Sequence, residues 1–357
     1  VTTAQANAKS VEFGEIDVST EDPFSEIKKT TGSWNPNSTL LLFDARHAAY
    51  RAIHTRVGLT APNGDNTCGL HGFLEIVSQV CDIFRSTRFL CVWDGGVEAK
   101  RKLHPFYKSR QDKPSTAEEV AKQEDIRNAM RVTKDGTANI DMPSIHHNEF
   151  EADDLIGFIS RISKPKWVER TVIVSDDKDF YQLITPDCFV WRGITKRLVT
   201  PEAFAAEFPF PPDAYVDYKA LVGEPETGDN IPGVEGFGEK TAAKYIGSHG
   251  TLDNAIAFAK KAVSLPKPRA VDVNLANSED DARLSYRLSM IARSAAHLAA
   301  WSSPAVASRV HAIVNNLVFG GLGYKQKELR KATRILRGEY GFAHETCASV
   351  LPMMGYE

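Results

Sequence analysis

The 357-residue chain contains no uninterrupted apolar run of about 18 residues, the length a membrane-spanning helix needs, so no span is expected. Its opening residues, 1–38, show no charged stretch followed by an apolar one, and no secretory leader is expected either. Cysteine is sparse: Cys68, Cys81, Cys91, Cys188 and Cys347 are odd in number, widely spaced and never paired as CxxC. That argues against a disulfide framework or a thiolate zinc site, and it fits a reducing cytoplasm. Neither charge dominates, since 43 Lys+Arg against 46 Asp+Glu leave a formal charge of -3, which excludes a histone-like polycation. Internal repeats and low-complexity tracts are also missing. What remains, 42% hydrophobic and 25% charged residues, is an ordinary globular composition with enough chain for one large or two modest cores. The expectation is a soluble cytoplasmic monomer that does not enter membranes.

Residues 1–38 mix Thr, Ser, Asn and acids with few large apolar side chains, a composition that does not offset its own ordering entropy. They read as a polar, disordered tail. From residue 39 the pattern changes. Residues 39–43 are an apolar run suited to a buried parallel strand, which ends in Asp44 before a helix-like stretch through Arg46, Tyr50 and Ile53. The same grammar recurs at 89–93, which ends in Asp94-Gly95-Gly96, and at 171–174, which ends in Ser175-Asp176-Asp177-Lys178-Asp179. Helical periodicity over 70–84 and 151–162 separates these runs, and strand–helix alternation predicts an α/β fold with a mainly parallel sheet flanked by helices. After Pro201 come short helices punctuated by Pro and Gly: 213–221, a loop over 223–238, then 240–246. Further helices from about Asp280 end in a basic stretch over 325–337. The predicted division is a tail (1–38), an α/β domain (39–200) and a helical domain (201–357).

In an open α/β sheet, ligands bind beyond the carboxyl ends of the strands, where Asp44, Asp94, Asp177 and Asp179 all fall. The helix beginning Glu151-Ala152-Asp153-Asp154 adds three acids, with Glu151 and Asp154 on one face and Asp153 beside them. A single aspartate at a strand end is more often a helix cap than a ligand. Three such ends and an acidic helix converging on one crevice are harder to explain by capping. Carboxylates crowded together raise each other's pKa unless a cation neutralises them. Hard oxygen donors without nearby His or Cys favour Mg²⁺ or Mn²⁺ over zinc, and two such ions are a recurring device for phosphodiester cleavage.

Lys100, Arg101, Lys102, Lys108, Arg110 and Lys113 occupy a window with Asp112 as its single acid, interrupted by Phe106 and Tyr107. Basic and aromatic residues mixed in this way suit a phosphate backbone and unstacked bases. Because the segment follows directly from Asp94, its cations start near the acidic crevice. Further on, Gly233, Gly236 and Gly238 precede Glu239-Lys240-Thr241 and Lys244. Their spacing matches neither a Walker A loop nor GxGxxG, and no strand leads into them. A helix-hairpin-helix gripping duplex backbone without reading sequence fits better.

Together these residues resemble the 5′ nuclease family, which includes flap endonucleases, bacteriophage 5′ to 3′ exonucleases and the N-terminal nuclease domain of bacterial DNA polymerase I. Five elements, in order, carry the resemblance: Leu42-Phe43-Asp44-Ala45-Arg46 with Tyr50-Arg51; Val92-Trp93-Asp94-Gly95 with Arg101 and Tyr107-Lys108-Ser109-Arg110; Glu151 to Asp154; Asp176-Asp177-Lys178-Asp179; and Gly223 through Ala242. They cover roughly residues 38 to 260. Two departures stand out: Asp176 replaces the family's glycine, and Glu224 stands where an aspartate is usual, while Glu226 keeps the three-residue spacing to Asp229.

The resemblance implies a PIN-like fold with a helical arch over about 95–135 and a helix-hairpin-helix over about 216–246. It implies hydrolysis near the 5′ end or flap of branched or nicked DNA during replication or repair. Asp44, Asp94, Glu151 and Asp154 would hold one ion, with Asp153 behind them. Asp177, Asp179, Asp229 and, on spacing, Glu226 would hold the second. Lys108 and Arg110 would stabilise the scissile phosphate, Arg101 and Tyr107 would contact the strand, and Gly233, Gly236, Gly238, Lys240, Thr241 and Lys244 would grip the duplex. K⁺ at the hairpin's carbonyls and contact with replication proteins follow from the same likeness. Two other readings compete: a PIN-type ribonuclease, and a structure-selective DNA-binding protein with weak catalysis. A phosphatase with an aspartate nucleophile fits less well, because Asp44-Ala45-Arg46 lacks a second Asp two residues on.

Overall fold

The computed structural model describes residues 24–55, 58–109, 116–162, 168–224, 229–316 and 328–357. The three apolar runs all become strands of one sheet. Its members are β1 (Thr39–Asp44), β2 (Phe89–Val92), β3 (Ser144–Ile145), β4 (Arg170–Val174), β5 (Cys188–Arg192) and β6 (Arg197–Val199), in the order β3-β2-β1-β4-β5-β6. Every neighbouring pair is parallel except β5 with β6. Phe43 is in register with both Cys91 and Val174, so the carboxyl ends of β1, β2 and β4 finish along one edge.

Successive side chains of a strand point to opposite faces, and the core divides accordingly. Leu40, Leu42, Leu90, Val92 and Ile173 pack in one layer, whereas Leu41, Phe43, Phe89, Cys91, Val172 and Val174 pack in the other. Because both faces are covered, the strands read as continuous apolar runs rather than alternating ones. Each fully buried Leu or Phe in β1 contributes about 2 kcal/mol of burial, which fixes the central strand firmly.

The helices of the first half are α1 (Ser25–Thr31), α2 (Ala45–Thr55), α3 (Cys68–Phe84), α4 (Glu98–Arg101), α5 (Ala117–Asn139) and α6 (Ala152–Arg161). α3 buries Leu70, Phe73, Leu74 and Val77, a stripe at helical spacing, against the Leu41–Phe43 face. α6 buries Leu155, Ile156 and Ile159 against the other. α5 starts at a capping box in which the Thr116 hydroxyl accepts from Glu119 N–H and the Glu119 carboxylate accepts from Thr116 N–H.

The second half is helical: α7 (Pro201–Ala205), α8 (Tyr215–Val222), α9 (Glu239–His249), α10 (Leu252–Ala262), α11 (Ala270–Asn277), α12 (Glu279–Ser289), α13 (Ala295–Trp301), α14 (Pro304–Val314), α15 (Leu329–Tyr340) and α16 (His344–Met353). α8, the loop after it and α9 form the hairpin. Gly223 and Gly233 both take positive φ where their backbones cross, and a Cβ on Gly233 would stand 2.6 Å from the Val222 carbonyl oxygen. α15 and α16 return to the sheet domain, burying Ala332, Leu336, Cys347 and Leu351 in the layer that holds Phe73 and Val77. No helix among the described residues is long and apolar enough to cross a membrane.

One expectation is corrected. Residues 24–38, read as part of a disordered tail, are folded: α1 buries Ile27, Trp34 stacks on Phe84 at 6.0 Å and on Phe189 at 5.1 Å, and Phe24 meets Trp191 at 6.3 Å. Three apolar side chains suffice here because all reach one gap beside the sheet. Residues 1–23 lie outside the described residues, as do 110–115, which include Arg110, Asp112 and Lys113 of the basic segment.

Candidate active site

β1 is the centre of the sheet, and the chain departs from it first to β2 on one side and later to β4 on the other, which makes its carboxyl end a switch point with an open crevice. Asp44, Asp94 and Asp177 sit at that edge, and each is fixed by a cap. Asp44 Oδ1 accepts the His47 N–H at 3.1 Å, Asp94 Oδ1 accepts the Ala152 N–H at 2.8 Å, and Asp177 Oδ1 accepts the Asp179 N–H at 2.8 Å. Capping and clustering are therefore not alternatives, because the caps orient the carboxylates. Ser175 joins two of these acids: its hydroxyl donates to Asp44 Oδ2 at 3.0 Å and accepts the Asp177 N–H at 3.2 Å.

Three lysines hold the cluster together. Lys100, buried, lies 3.2 Å from Glu151 and 3.7 Å from Asp154, with its ammonium 5.8 Å from the ring centres of both Tyr107 and Trp301. Lys108 bonds the other oxygen of Glu151. Lys219, on α8, bridges Asp179 at 2.9 Å and Glu224. Burial would lower all three ammoniums, but the surrounding carboxylates outweigh it and hold them protonated. Burial would likewise raise Glu151, yet Lys100 and Lys108 hold it down at about 2. For Asp44, Asp177 and Asp154 compensation is incomplete. Burial, reinforced by Asp94, pushes Asp44 up to about 6; burial and Asp179 do the same to Asp177; and burial, partly offset by Lys100, raises Asp154 to about 6. Asp153 is raised by burial and by Asp177, and Asp229 by burial. Such a cluster is short of positive charge.

Asp153, Asp177, Asp179, Glu224 and Asp229 line one cavity of about 190 Å³, together with Lys100, Tyr107 and Lys108. Two details differ from the sequence reading. Asp153, expected behind the ligands, faces the cavity, whereas Asp154 is turned inward, where it meets Lys100 and accepts the Ala292 N–H at 3.1 Å. The burial of Leu155, Ile156 and Ile159 fixes this rotation of α6. Glu224, the alternative to Glu226, is a cavity residue, while Glu226 lies outside the described residues. Among the described residues no three acids or His/Cys side chains converge closely enough to clasp an ion as they stand. Asp176, the family's glycine, points away from the cavity and ties α2 to β5 through His47 at 3.6 Å, Arg51 at 3.5 Å and Arg192 at 4.0 Å.

Lys108 is placed by the hairpin. Asn230 Nδ2 donates to the carbonyls of Phe106 at 2.7 Å and Ser109 at 3.0 Å, and the Lys108 N–H donates to the Asp229 carbonyl at 3.2 Å. Arg101 adds bonds to the carbonyls of Tyr107 at 3.2 Å and Lys108 at 3.3 Å. Lys108 and Asn230 both take positive φ in this tie. Tyr107, expected to contact the strand, is instead buried, and its hydroxyl donates to Glu151 at 2.9 Å. Phe106 beside it is 67% exposed and is the ring free to face solvent. A cleft of about 870 Å³ opens above, with Arg46, Arg101, Lys108, Arg127 and Lys134 on its walls and Tyr50 and Trp93 among them. In the hairpin Lys240, Thr241 and Lys244 are exposed, as are Gly236 and Gly238. Gly233 is buried, and its N–H already donates to Ser285 Oγ at 2.8 Å, so it offers nothing to a phosphate.

Lys100 and Lys219 were the functional residues not singled out in their present role. Lys219 had a weak signal, one helical turn before Gly223 in the helix that leads into the acidic loop.

Comparison with known proteins matches this arrangement. Residues 39–209 match the family model for the 5′-3′ exonuclease N-terminal, resolvase-like domain, and residues 210–307 match that for the 5′-3′ exonuclease C-terminal SAM fold. The chain is 31% identical over 229 residues to a 5′-3′ exonuclease of Bacillus subtilis, covering 62% of this chain and 73% of that one. It is 28% identical over 259 residues to thermostable DNA polymerase I of Thermus thermophilus, covering 72% of this chain but 29% of the polymerase, so it spans under a third of such relatives. Among solved structures, bacteriophage T5 5′-exonuclease with bound divalent metal ions (zinc) superposes with a TM-score of 0.67 at 19% identity, covering 78% of this chain and 99% of that one. The T5 flap endonuclease with DNA and metal ions gives 0.66 at 18% identity, with 78% and 99% covered. With both family models matched in sequence order across the acidic crevice and the hairpin, the chain belongs to the 5′-3′ exonuclease family.

Proposed function

We propose that the chain is a metal-dependent 5′ nuclease, hydrolysing phosphodiester bonds near the 5′ end or flap of branched or nicked DNA. The observation that carries this reading is the position of the acidic cavity directly beneath Lys108, at the foot of a cleft whose walls are cationic and aromatic. The cavity's titratable oxygen donors are carboxylates, with Tyr107, and no His or Cys among the described residues lines it, a donor set that fits Mg²⁺ or Mn²⁺. Its raised carboxyl groups are those a cation would return to the ionised form. Asp153, Asp177, Asp179, Glu224 and Asp229 would hold metal, with Asp44, Asp94 and Glu151 along the adjoining wall. Metal bound there supplies an activated water and charge stabilisation for the leaving oxygen. The metal-bound T5 structures support the same dependence.

The chain's own groups do the rest. Lys108, kept protonated by Glu151, presents a fixed positive charge where the scissile phosphate gains negative charge. Arg46, Arg101, Arg127 and Lys134 line the approach of a strand, and Phe106 and Tyr50 offer exposed rings for base stacking. Lys240 and Lys244 on α9 contact duplex backbone. K⁺ at the hairpin carbonyls, a monomeric state, replication partners and a cytoplasmic setting belong to the same proposal, the last supported by five buried cysteines that form no disulfide among the described residues.

A time course on end-labelled 5′-flap, nicked and single-stranded DNA, with Mg²⁺ or chelator, tests the reading. Mg²⁺-dependent release of short labelled 5′ products is the expected result. Flap DNA that is bound but uncut would instead establish the DNA-binding reading, and cleavage confined to RNA the ribonuclease reading.

A further inference from the structure

We propose that the exposed arginine row of α15, Arg330, Arg334 and Arg337, is a second surface for duplex DNA, binding sugar–phosphate backbone outside the nuclease cleft. The row lies beyond residue 307, where the family match ends. Its i, i+4, i+7 spacing puts three guanidiniums on one face over roughly 10 Å of helix axis. Another side of α15 carries the buried stripe Ala332, Leu336 and Tyr340, and Glu339 falls about half a turn around the helix from Arg330.

These arginines lack ion-pair partners among the described residues, as does Arg127 on the cleft wall. Arg131, Arg197 and Arg283 each meet an acid on the surface, at 3.3 Å, in a short contact and at 2.8 Å respectively. None of the three in the row has an acid within ion-pair distance among the described residues. Like charges at i, i+4 destabilise an isolated helix by a few tenths of a kcal/mol, so the row works against α15 unless an anion meets it. Beside it Arg330, Arg334, Arg337 and His344 line a shallow groove of about 480 Å³ with Leu329 and Thr333. Planar guanidiniums in such a row suit phosphate oxygens, which accept two N–H bonds from each.

The platform is rigid. Tyr356 Oη donates to the Ile140 carbonyl at 2.8 Å, Asn139 donates to Tyr340 Oη at 2.6 Å, and Lys331 pairs with Asp141. These bonds anchor α15 and the C-terminal residues to the end of α5, whose other face supplies Gln123, Arg127, Met130 and Lys134 to the cleft. Row and cleft are thus held on one helix, and an arm of a branched substrate on the row would remain in register with the strand in the cleft. The choice of DNA as the polyanion rests on the nuclease reading, whereas the anion-binding character rests on the row alone.

The test is the affinity of the full chain and of R330A/R334A/R337A for a blunt duplex in EDTA, across a salt series. Without cleavage in the assay, its outcome is independent of whether the chain is a nuclease. Three lost phosphate contacts should make the slope of log K against log salt shallower by about 2 to 3 and cut low-salt affinity at least tenfold. Should the triple variant fold poorly, Arg334→Ala alone should change the slope by about 1. An unchanged slope would overturn the proposal, as would an unchanged slope accompanied by lost binding to phosphatidylserine vesicles, which would assign the row to a membrane surface.

Discussion

Lys100→Met should destabilise the protein out of proportion to the exposure of the residue it removes. The Lys100 side chain is 4% exposed, and its partners Glu151 and Asp154 are 6% and 1% exposed. Methionine keeps the length of the stem and fills the space between Tyr107 and Trp301, so packing changes little. What is lost is the counter-ion of two buried carboxylates, and breaking a buried pair by removing one partner costs about 3–5 kcal/mol. At roughly 2–4 °C per kcal/mol for a domain of this size, the thermal midpoint in EDTA should fall by roughly 6–20 °C. Lys102→Met is the internal control: its side chain is 58% exposed and 3.7 Å from Glu149, a geometry worth about 1 kcal/mol or less. Added Mg²⁺ should restore more of the loss in Lys100→Met than it adds to the parent, because it supplies the missing charge. A midpoint for Lys100→Met within the range of Lys102→Met would refute the claim that this lysine neutralises the acidic wall.

Asp177→Asn should abolish flap cleavage while leaving DNA binding equal or tighter, since it removes both a metal-facing oxygen and a negative charge; equal turnover would remove Asp177 from the site. Asn230→Ala cuts the bonds that hold the loop of Lys108, so kcat should drop about tenfold or more with little change in KM, and a fall in duplex affinity without a kcat effect would contradict a positioning role. Asp272 gives a pH signature. Burial would raise it, but bonds from Arg269 and Tyr245 outweigh that and hold it below the usual carboxylate value. A depressed folded-state pKa means stability present above the unfolded value near 3.8 and lost as the pH falls through the folded one, so denaturation midpoints of parent and Asp272→Asn should converge below about pH 4. Parallel midpoint curves down to the acid limit would show that the pair is not coupled to folding.

The sheet was legible because burial on both faces leaves a mark that needs no partner information. Residues 39–43, 89–93 and 171–174 each read as strands from apolar run length, and each ends at an acid. The short strands β3 and β6 carry no such mark, and tertiary pairing alone defines them. Residues 24–38 were misread for a related reason. Average composition counts apolar residues, but Phe24, Ile27 and Trp34 fold because Phe84, Phe189 and Trp191 present a surface to receive them. No property of the segment itself records that surface.

At the site, the residue types were readable and their directions were not. Asp153 and Asp154 differ by one position, about 100° around a helix, and which of them faces the cavity depends on how Leu155, Ile156 and Ile159 seat α6. The lysines show the same limit from the other side. Lys is rarely fully buried, so Lys100 read as one more cation of a segment suited to a phosphate backbone. In the fold it stands at the bottom of the acidic wall, while its neighbour Arg101 braces the loop above. That division explains how one basic segment serves two purposes. Charge placed inward, at Lys100, lets the carboxylates crowd together at all, and charge on the cleft wall, at Arg101, stands on the side from which the proposed strand would approach. Three lysines against the acids of the cavity and its wall still leave an excess of negative charge, and burial, the largest cause, together with neighbouring carboxylates raises Asp44, Asp154 and Asp177. The cation proposed for the cavity would supply the positive charge that these lysines leave short.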